Sequence, residues 1–276
     1  MSRRTIAIAA ALSVLALGSP LITGCTNPLE TQYFNQGVEK SEAGNYQGAI
    51  ADYTKAIEIN PQNAYSYYNR GIAKNDSGDY QGAIADYTKA IEINPQYADA
   101  YENRGNVKSG SGDHQGAIAD YNKAIEIDPQ SVLAFYNRGI AKYNLEDYRG
   151  AIADFTKAIE INPQYVSAYY NRGIAKNDSG DYQGAIADYT KAIEIYPRYA
   201  LAYNNRGNSK HNLKDYQGAI ADYTKAIKID PNDADYYYNR GNSKEELGDL
   251  KGACTDWRKA AELGDTDAAE FVRDRC

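Results

Sequence analysis

The sequence predicts an all-α superhelical solenoid of seven helix–turn–helix repeats, closed by a short C-terminal capping helix. Three observations lead there. Pro61, Pro95, Pro129, Pro163, Pro197 and Pro231 lie 34 residues apart. Gly48, Gly82, Gly116, Gly150, Gly184, Gly218 and Gly252 keep the same interval, and a fixed period of this size marks stacked units in place of one central core. Within each period apolar residues recur at helical spacing, as in Ala83, Ile84, Tyr87, Ala90 and Ile91.

Counting each unit so that proline is its position 32 gives repeats at 30–63, 64–97, 98–131, 132–165, 166–199, 200–233 and 234–267. In the second half of a unit, Asp79 is placed to cap the helix and Pro95 stops it. In the first half, small Gly71 and Ala73 let the paired helix approach, while Tyr67 fills space between units. One helical hairpin leaves an apolar face uncovered, so neighbours must stack to bury it. The last unit has Gly264-Asp265 where the others have a residue and proline. Residues 268–276 then read as the capping helix, with Ala268, Ala269, Phe271 and Val272 inward and Glu270, Arg273, Asp274 and Arg275 left to water.

The repeat carries a denser pattern. Position 4 is aromatic throughout (Tyr33, Tyr67, Tyr101, Phe135, Tyr169, Tyr203, Tyr237) and position 8 is glycine (Gly37, Gly71, Gly105, Gly139, Gly173, Gly207, Gly241). Alanine and an aromatic follow four residues apart, as in Ala49/Tyr53, Ala83/Tyr87, Ala151/Phe155 and Ala253/Trp257. Over residues 30–267 this resembles the tetratricopeptide repeat family. The resemblance implies a right-handed superhelix, a concave groove lined mainly by the first helix of each unit, and binding of proteins or extended peptides in that groove. The chain departs from the family pattern at position 7, arginine where leucine is commoner, and at position 11, lysine where tyrosine is expected. Arg70, Arg104, Arg138, Arg172, Arg206 and Arg240 recur with Asp52, Asp86, Asp120, Asp154, Asp188, Asp222 and Asp256 at position 23, which suggests an ion-pair ladder whose partners the sequence leaves open.

Composition narrows the function. The 27 tyrosines, against 4 phenylalanines and 1 tryptophan, come from copying one segment; residues 67–93 are identical to 169–195. A net charge of −7 gives no basic footprint for nucleic acid. His114 and His211 sit in different repeats with no second ligand at metal spacing, so no metal is expected. There is no phosphate-binding loop, and Gly110-Ser111-Gly112 falls at an inter-helix turn with no strand before it. The expectation is a chain that is not an enzyme and uses no cofactor.

Residues 1–24 read as a signal peptide, with Arg3 and Arg4 before an apolar stretch too short to span a bilayer. Leu21-Ile22-Thr23-Gly24-Cys25 resembles the lipobox of bacterial lipoproteins, which implies cleavage before Cys25, acylation there, a lipidated linker at 25–29 and a membrane anchor at the cell envelope. Ser2-Arg3-Arg4-Thr5 also resembles the start of a twin-arginine signal, so the export route and the membrane stay open. Cys254 and Cys276 could bridge and pin the capping helix, or the terminus could fray.

The expected site is the groove. Position 6 is asparagine in every unit (Asn35, Asn69, Asn103, Asn137, Asn171, Asn205, Asn239), and position 5 is Phe34, Tyr68, Tyr136, Tyr170 and Tyr238, interrupted by Glu102 and Asn204. An amide both donates and accepts, so it can pair with a peptide backbone whatever the peptide's sequence. The row resembles the asparagine ladder of the O-linked N-acetylglucosamine transferase superhelix; the same asparagines could instead bond a neighbouring helix. Tyrosines at positions 4, 17 and 24 are assigned to the stack and those at 5 to the groove. Positions 2, 5 and 6 carry no lysine or arginine, so the carboxylate clamp that binds chaperone tails is not expected. The main reading is a scaffold or assembly factor, and the alternative a glycan- or peptidoglycan-binding envelope protein.

Overall fold

A computed structural model describes residues 27–276; the signal peptide, the lipobox, Cys25 and Thr26 lie outside the described residues. The described residues form fifteen α-helices and no strand. They fall into two compact units, one ending at Ala141 and the other beginning at Lys142. The first unit holds α1 (Pro28–Glu42), α2 (Tyr46–Ile59), α3 (Ala64–Asp76), α4 (Tyr80–Ile93), α5 (Ala98–Gly110), α6 (His114–Ile127) and most of α7 (Val132–Asn144). The second holds α8 (Tyr148–Ile161), α9 (Val166–Asp178), α10 (Tyr182–Ile195), α11 (Ala200–Asn212), α12 (Tyr216–Ile229), α13 (Ala234–Glu246), α14 (Leu250–Glu262) and α15 (Thr266–Arg275). Neighbours in sequence pack on one another, α1 to α6 in the first unit and α8 to α15 in the second. No described helix is long and apolar enough to cross a membrane.

Two boundaries shift from expectation. Helix α1 starts at Pro28, inside the expected linker, because proline suits the first turn and Asn27 Oδ1 accepts the Leu29 N–H at 3.0 Å. The final helix begins at Thr266, where Asp265 Oδ1 accepts from the Ala268 N–H at 2.6 Å. Each second helix has the same start: an Asn or Asp side chain accepts the N–H of the glycine three residues on, Asp79 to Gly82 at 2.9 Å for example.

The apolar stripe of the second helices is the core. Ala83, Tyr87, Ala90 and Ile91 are buried, and Ile84 packs partly buried beside them. The glycine at position 8 lies against the position-24 ring, and an added Cβ would stand 2.7 Å from Tyr87 Cε1 at Gly71 and 2.6 Å from Trp257 Nε1 at Gly241.

A polar tie joins the two helices of each unit. Arg70 Nε and Nη2 donate to both oxygens of Asp86 at 2.8 and 2.7 Å, and Lys74 Nζ reaches the same carboxylate at 2.8 Å. Arg70 Nη1 donates to Thr54 Oγ1 of the preceding repeat at 3.0 Å, and the guanidinium lies over the Tyr67 ring. Arg104, Arg172, Arg206 and Arg240 repeat this with Asp120, Asp188, Asp222 and Asp256. In the first repeat, where position 7 is Gln36, Lys40 takes Asp52, with Lys55 of the same second helix 3.6 Å from its other oxygen. The expected ladder therefore runs within units, 16 residues apart, and its arginine reaches back one repeat.

The lid closes the last repeat of the second unit. Phe271 meets Trp257 at 5.2 Å and Tyr238 at 5.7 Å, Arg275 pairs with Glu245 at 2.6 Å, and the sulfurs of Cys254 and Cys276 are bonded. The assignment of position-17 tyrosines to the stack fails at Tyr80, which is 53% exposed. As the first residue of α4 it sits on the outer end of the helix, beyond the buried stripe.

Gly71→Ala tests the close approach. Helix propensity favours alanine by about 1 kcal/mol, but the Tyr87 ring is buried and has nowhere to retreat. We expect a net loss of about 1–3 kcal/mol in urea unfolding; a stabilised variant would show the packing to be loose.

Candidate functional site

The position-6 asparagines lie on the first helices, and most are already in use. In the first unit, Asn69 Nδ2 donates to the Tyr65 carbonyl of its own helix at 2.8 Å, Asn103 to Tyr68 Oη at 2.8 Å, and Asn137 to Asn106 Oδ1 at 3.0 Å. In the second unit, Asn205 donates to Tyr170 Oη at 2.9 Å and Asn239 to Asn204 Oδ1 at 3.1 Å, while Asn171 is buried. Asn35 is exposed on α1. Asn103 and Asn137 in the first unit, and Asn205 and Asn239 in the second, thus tie successive first helices together. A primary amide has two N–H donors and two acceptor lone pairs, so one tie leaves hydrogen-bonding capacity on each.

The position-5 aromatics do not form an open row. Tyr136 is 5% exposed and Tyr170 3%, Phe34 belongs to the core with Tyr53, and Tyr238 lies under Phe271 of the lid. The rings that reach solvent come from position 2 of the groove face, at Tyr65, and from the links before the next first helix, which periodicity did not single out. Tyr65 is 41% exposed and meets Tyr97 edge-on at 5.4 Å; Tyr97 in turn packs on Tyr68 at 4.7 Å. The second unit keeps the second of these pairs, Tyr199 against Tyr170 at 4.8 Å; Ser167 stands in place of Tyr65, and Tyr196 meets Tyr199 at 5.9 Å from another position. A signal for them was available. Tyr97 and Tyr199 occupy the N-cap of the following first helix yet make no cap bond, whereas Asn63 and Asp233 do cap there. Tyrosine has no short acceptor to cap a helix, so at this position its ring packs where Asn or Asp would cap.

Glu102 is the odd member of position 5. Ser131 Oγ donates to Glu102 Oε2 at 3.1 Å, and no cation pairs with it among the described residues. Burial pushes its pKa up to about 7, with Asp99 and Asp128 adding and Ser131 opposing. The phenols of Tyr68 and Tyr97 are raised too, first by burial and then by neighbours that include Asp99. Where a position-9 residue is asparagine it serves the core: Asn106, Asn208 and Asn242 accept from Tyr121, Tyr223 and Trp257 at 2.8, 2.8 and 2.9 Å. His211 Nδ1 lies 2.8 Å from Ser243 Oγ, and burial lowers its pKa. Among the described residues no group of His, Cys, Asp and Glu could hold a metal ion.

With the hairpins and their face in place, family signatures bear on the whole array. One described as TPR repeat matches residues 41–75, 73–110, 111–146 and 207–248. Others described as tetratricopeptide repeat match 132–165, 166–199, 188–221 and 234–267. The chain belongs to the tetratricopeptide repeat family. Among solved structures of such arrays, MamA is 28% identical and aligns over 58% of this chain and 94% of its own, with a TM-score of 0.57. YrrB, described as a TPR protein with an unusual peptide-binding site, is 26% identical over 68% of this chain and 97% of its own, with a TM-score of 0.60. A tetratricopeptide repeat protein from Parabacteroides merdae shares the fold at 24% identity, 90% and 98% coverage and a TM-score of 0.66. Comparison with curated proteins gives no match.

Glu102 makes stability depend on pH. Its proton is held more tightly in the folded repeat array, at about 7, than in the unfolded chain, where a glutamate titrates at about 4.3. The stabilisation is therefore full below about pH 4.3 and is lost as pH rises toward and through 7. We expect the wild type to lose of order 1–2 kcal/mol across that window relative to Glu102→Gln, after allowing for solvent screening. Parallel curves of unfolding free energy against pH would refute this.

Proposed function

We propose that this tetratricopeptide repeat chain is a non-enzymatic scaffold that holds extended peptides or partner proteins along its first-helix faces, tethered to a bacterial cell envelope through acylated Cys25. One observation carries the peptide reading: an asparagine at position 6 of every repeat, retaining donor and acceptor capacity beside solvent-reaching tyrosines. Paired amides can follow a peptide backbone without reading its side chains, and rigid rings add contact area at little entropic cost. The likeness to YrrB, described as having a peptide-binding site, supports peptide binding by this chain.

Asn69 is the cleanest probe, since its bond to the Tyr65 carbonyl stays within α3 and its loss leaves the ties between helices intact. Replacing Asn69 by alanine should weaken capture of an extended peptide by up to about tenfold, as for the loss of one net hydrogen bond, with little change in melting temperature. Equal affinity in the variant would sink the ladder. Retention of protein partners with loss of glycan binding would favour the carbohydrate reading, for which the Tyr65 and Tyr97 rings offer a stacking surface.

The anchor is tested separately. Cys25→Ser should release the chain from washed membranes into the soluble fraction, because a single thiol carries the acyl attachment and the affinity lies in its methylenes. A variant that stays bound rules lipidation out as the tether.

A further inference from the structure

The first helices of the first unit have no cation to spare. Lys40 is held by Asp52, Arg70 and Lys74 by Asp86, Arg104 and Lys108 by Asp120, and Arg138 donates to Asn122 Oδ1 at 2.6 Å while lying over Phe135. The face between α3 and α5 is left with carboxylates only. Asp99 and Glu102 stand on successive turns of α5, and Asp128 follows in the α6–α7 link. Asp99 and Glu102 act electrostatically on Tyr68 and Asp99 on Tyr97, within the Tyr65–Tyr97–Tyr68 set, and Tyr68 Oη is fixed by Asn103 at 2.8 Å.

The second unit supplies an internal contrast. Its residues 169–195 are identical to 67–93 and build the same ring pair and amide tie, Tyr170–Tyr199 at 4.8 Å and Asn205 to Tyr170 Oη at 2.9 Å. There Leu201 replaces Asp99, Asn204 replaces Glu102, and Arg198 replaces Gln96. The Tyr68–Tyr97 pair and its amide tie are common to both copies, but Tyr65, which gives way to Ser167, and the acids Asp99 and Glu102 belong to the first unit alone, while Asp128 has a counterpart in Asp230.

We propose that the α3–α5 face of the first unit docks a cationic stretch of the partner peptide, with one lysine or arginine side chain over the Tyr65–Tyr97 rings and its charge against Asp99 and Glu102. This rests on the peptide-scaffold reading and names the partner's chemistry. A guanidinium or ammonium gains from the ring faces and from carboxylates already partly desolvated. Glu102, pushed toward neutrality by burial, recovers its charge when such a group arrives.

The test is fluorescence anisotropy of the full chain with three labelled peptides of equal length, carrying arginine, glutamine or glutamate at spaced positions in a Gly/Ser background. The arginine peptide should bind about tenfold tighter than the glutamine one at low salt, and the gap should narrow in high salt. Asp99→Leu with Glu102→Asn, the residues the second unit carries, should erase that gap and leave glutamine-peptide binding in place. Glu92→Gln with Glu126→Gln, the same charge change on the second helices, should preserve it. Equal binding of arginine and glutamine peptides overturns the cationic proposal but leaves the scaffold; no binding of any peptide overturns both. Equal losses in the two double variants reduce the effect to net charge and also overturn it.

Discussion

The aspartate in the middle of each second helix is buried, and a carboxylate cannot remain charged in such a place without compensation. Asp86 is compensated twice, by both arms of the Arg70 fork and by Lys74. The same arginine donates to Thr54 Oγ1 of the repeat before, and the Thr54 hydroxyl in turn donates to the Ile50 carbonyl at 2.7 Å. One side chain thereby sets the distance between the helices of a unit and the register of that unit on its predecessor. The net gain from a buried ion pair over apolar packing is small, but removal of one partner costs about 3–5 kcal/mol. Such a tie acts mainly to specify geometry, and the first-helix face inherits that geometry.

The tie has an electrostatic consequence. Lysine and arginine at positions 7 and 11 would otherwise balance the acids of the first helices, yet they are drawn toward the second helices and held there. What remains on the face is amide, phenol and carboxylate. Fold and surface chemistry are therefore not independent choices here: the residues that lock the hairpin also decide the sign of what it presents.

The amides show the same economy. Asn103 and Asn205 each fix a tyrosine hydroxyl of the preceding repeat. A side chain half committed to the protein is already oriented, and less entropy is lost when the rest of it meets a ligand. Copies with the same sequence still end up in different surroundings. Tyr170 is almost fully buried and Tyr68 only partly, although residues 67–93 and 169–195 are identical. The difference comes from outside the copied segment, where Asn204 and Leu201 stand in place of Glu102 and Asp99.

By itself the sequence determined the hairpins, their number and their caps, since period, apolar spacing and cap residues act over a few positions along one helix. It also placed Asn35 to Asn239 on one face and foresaw an Arg–Asp ladder. Only the tertiary structure decided that the ladder closes within a repeat, that Tyr136 and Tyr170 turn inward, that Tyr238 lies under the lid, that Tyr65 meets Tyr97, and that Asp99 and Glu102 act on Tyr68. The physical reason is the same in each case. Helical periodicity assigns a side chain to a face, but its exposure and its partners depend on which residue the next repeat sets against it, and that distance of some 35 residues is bridged only when the helices pack.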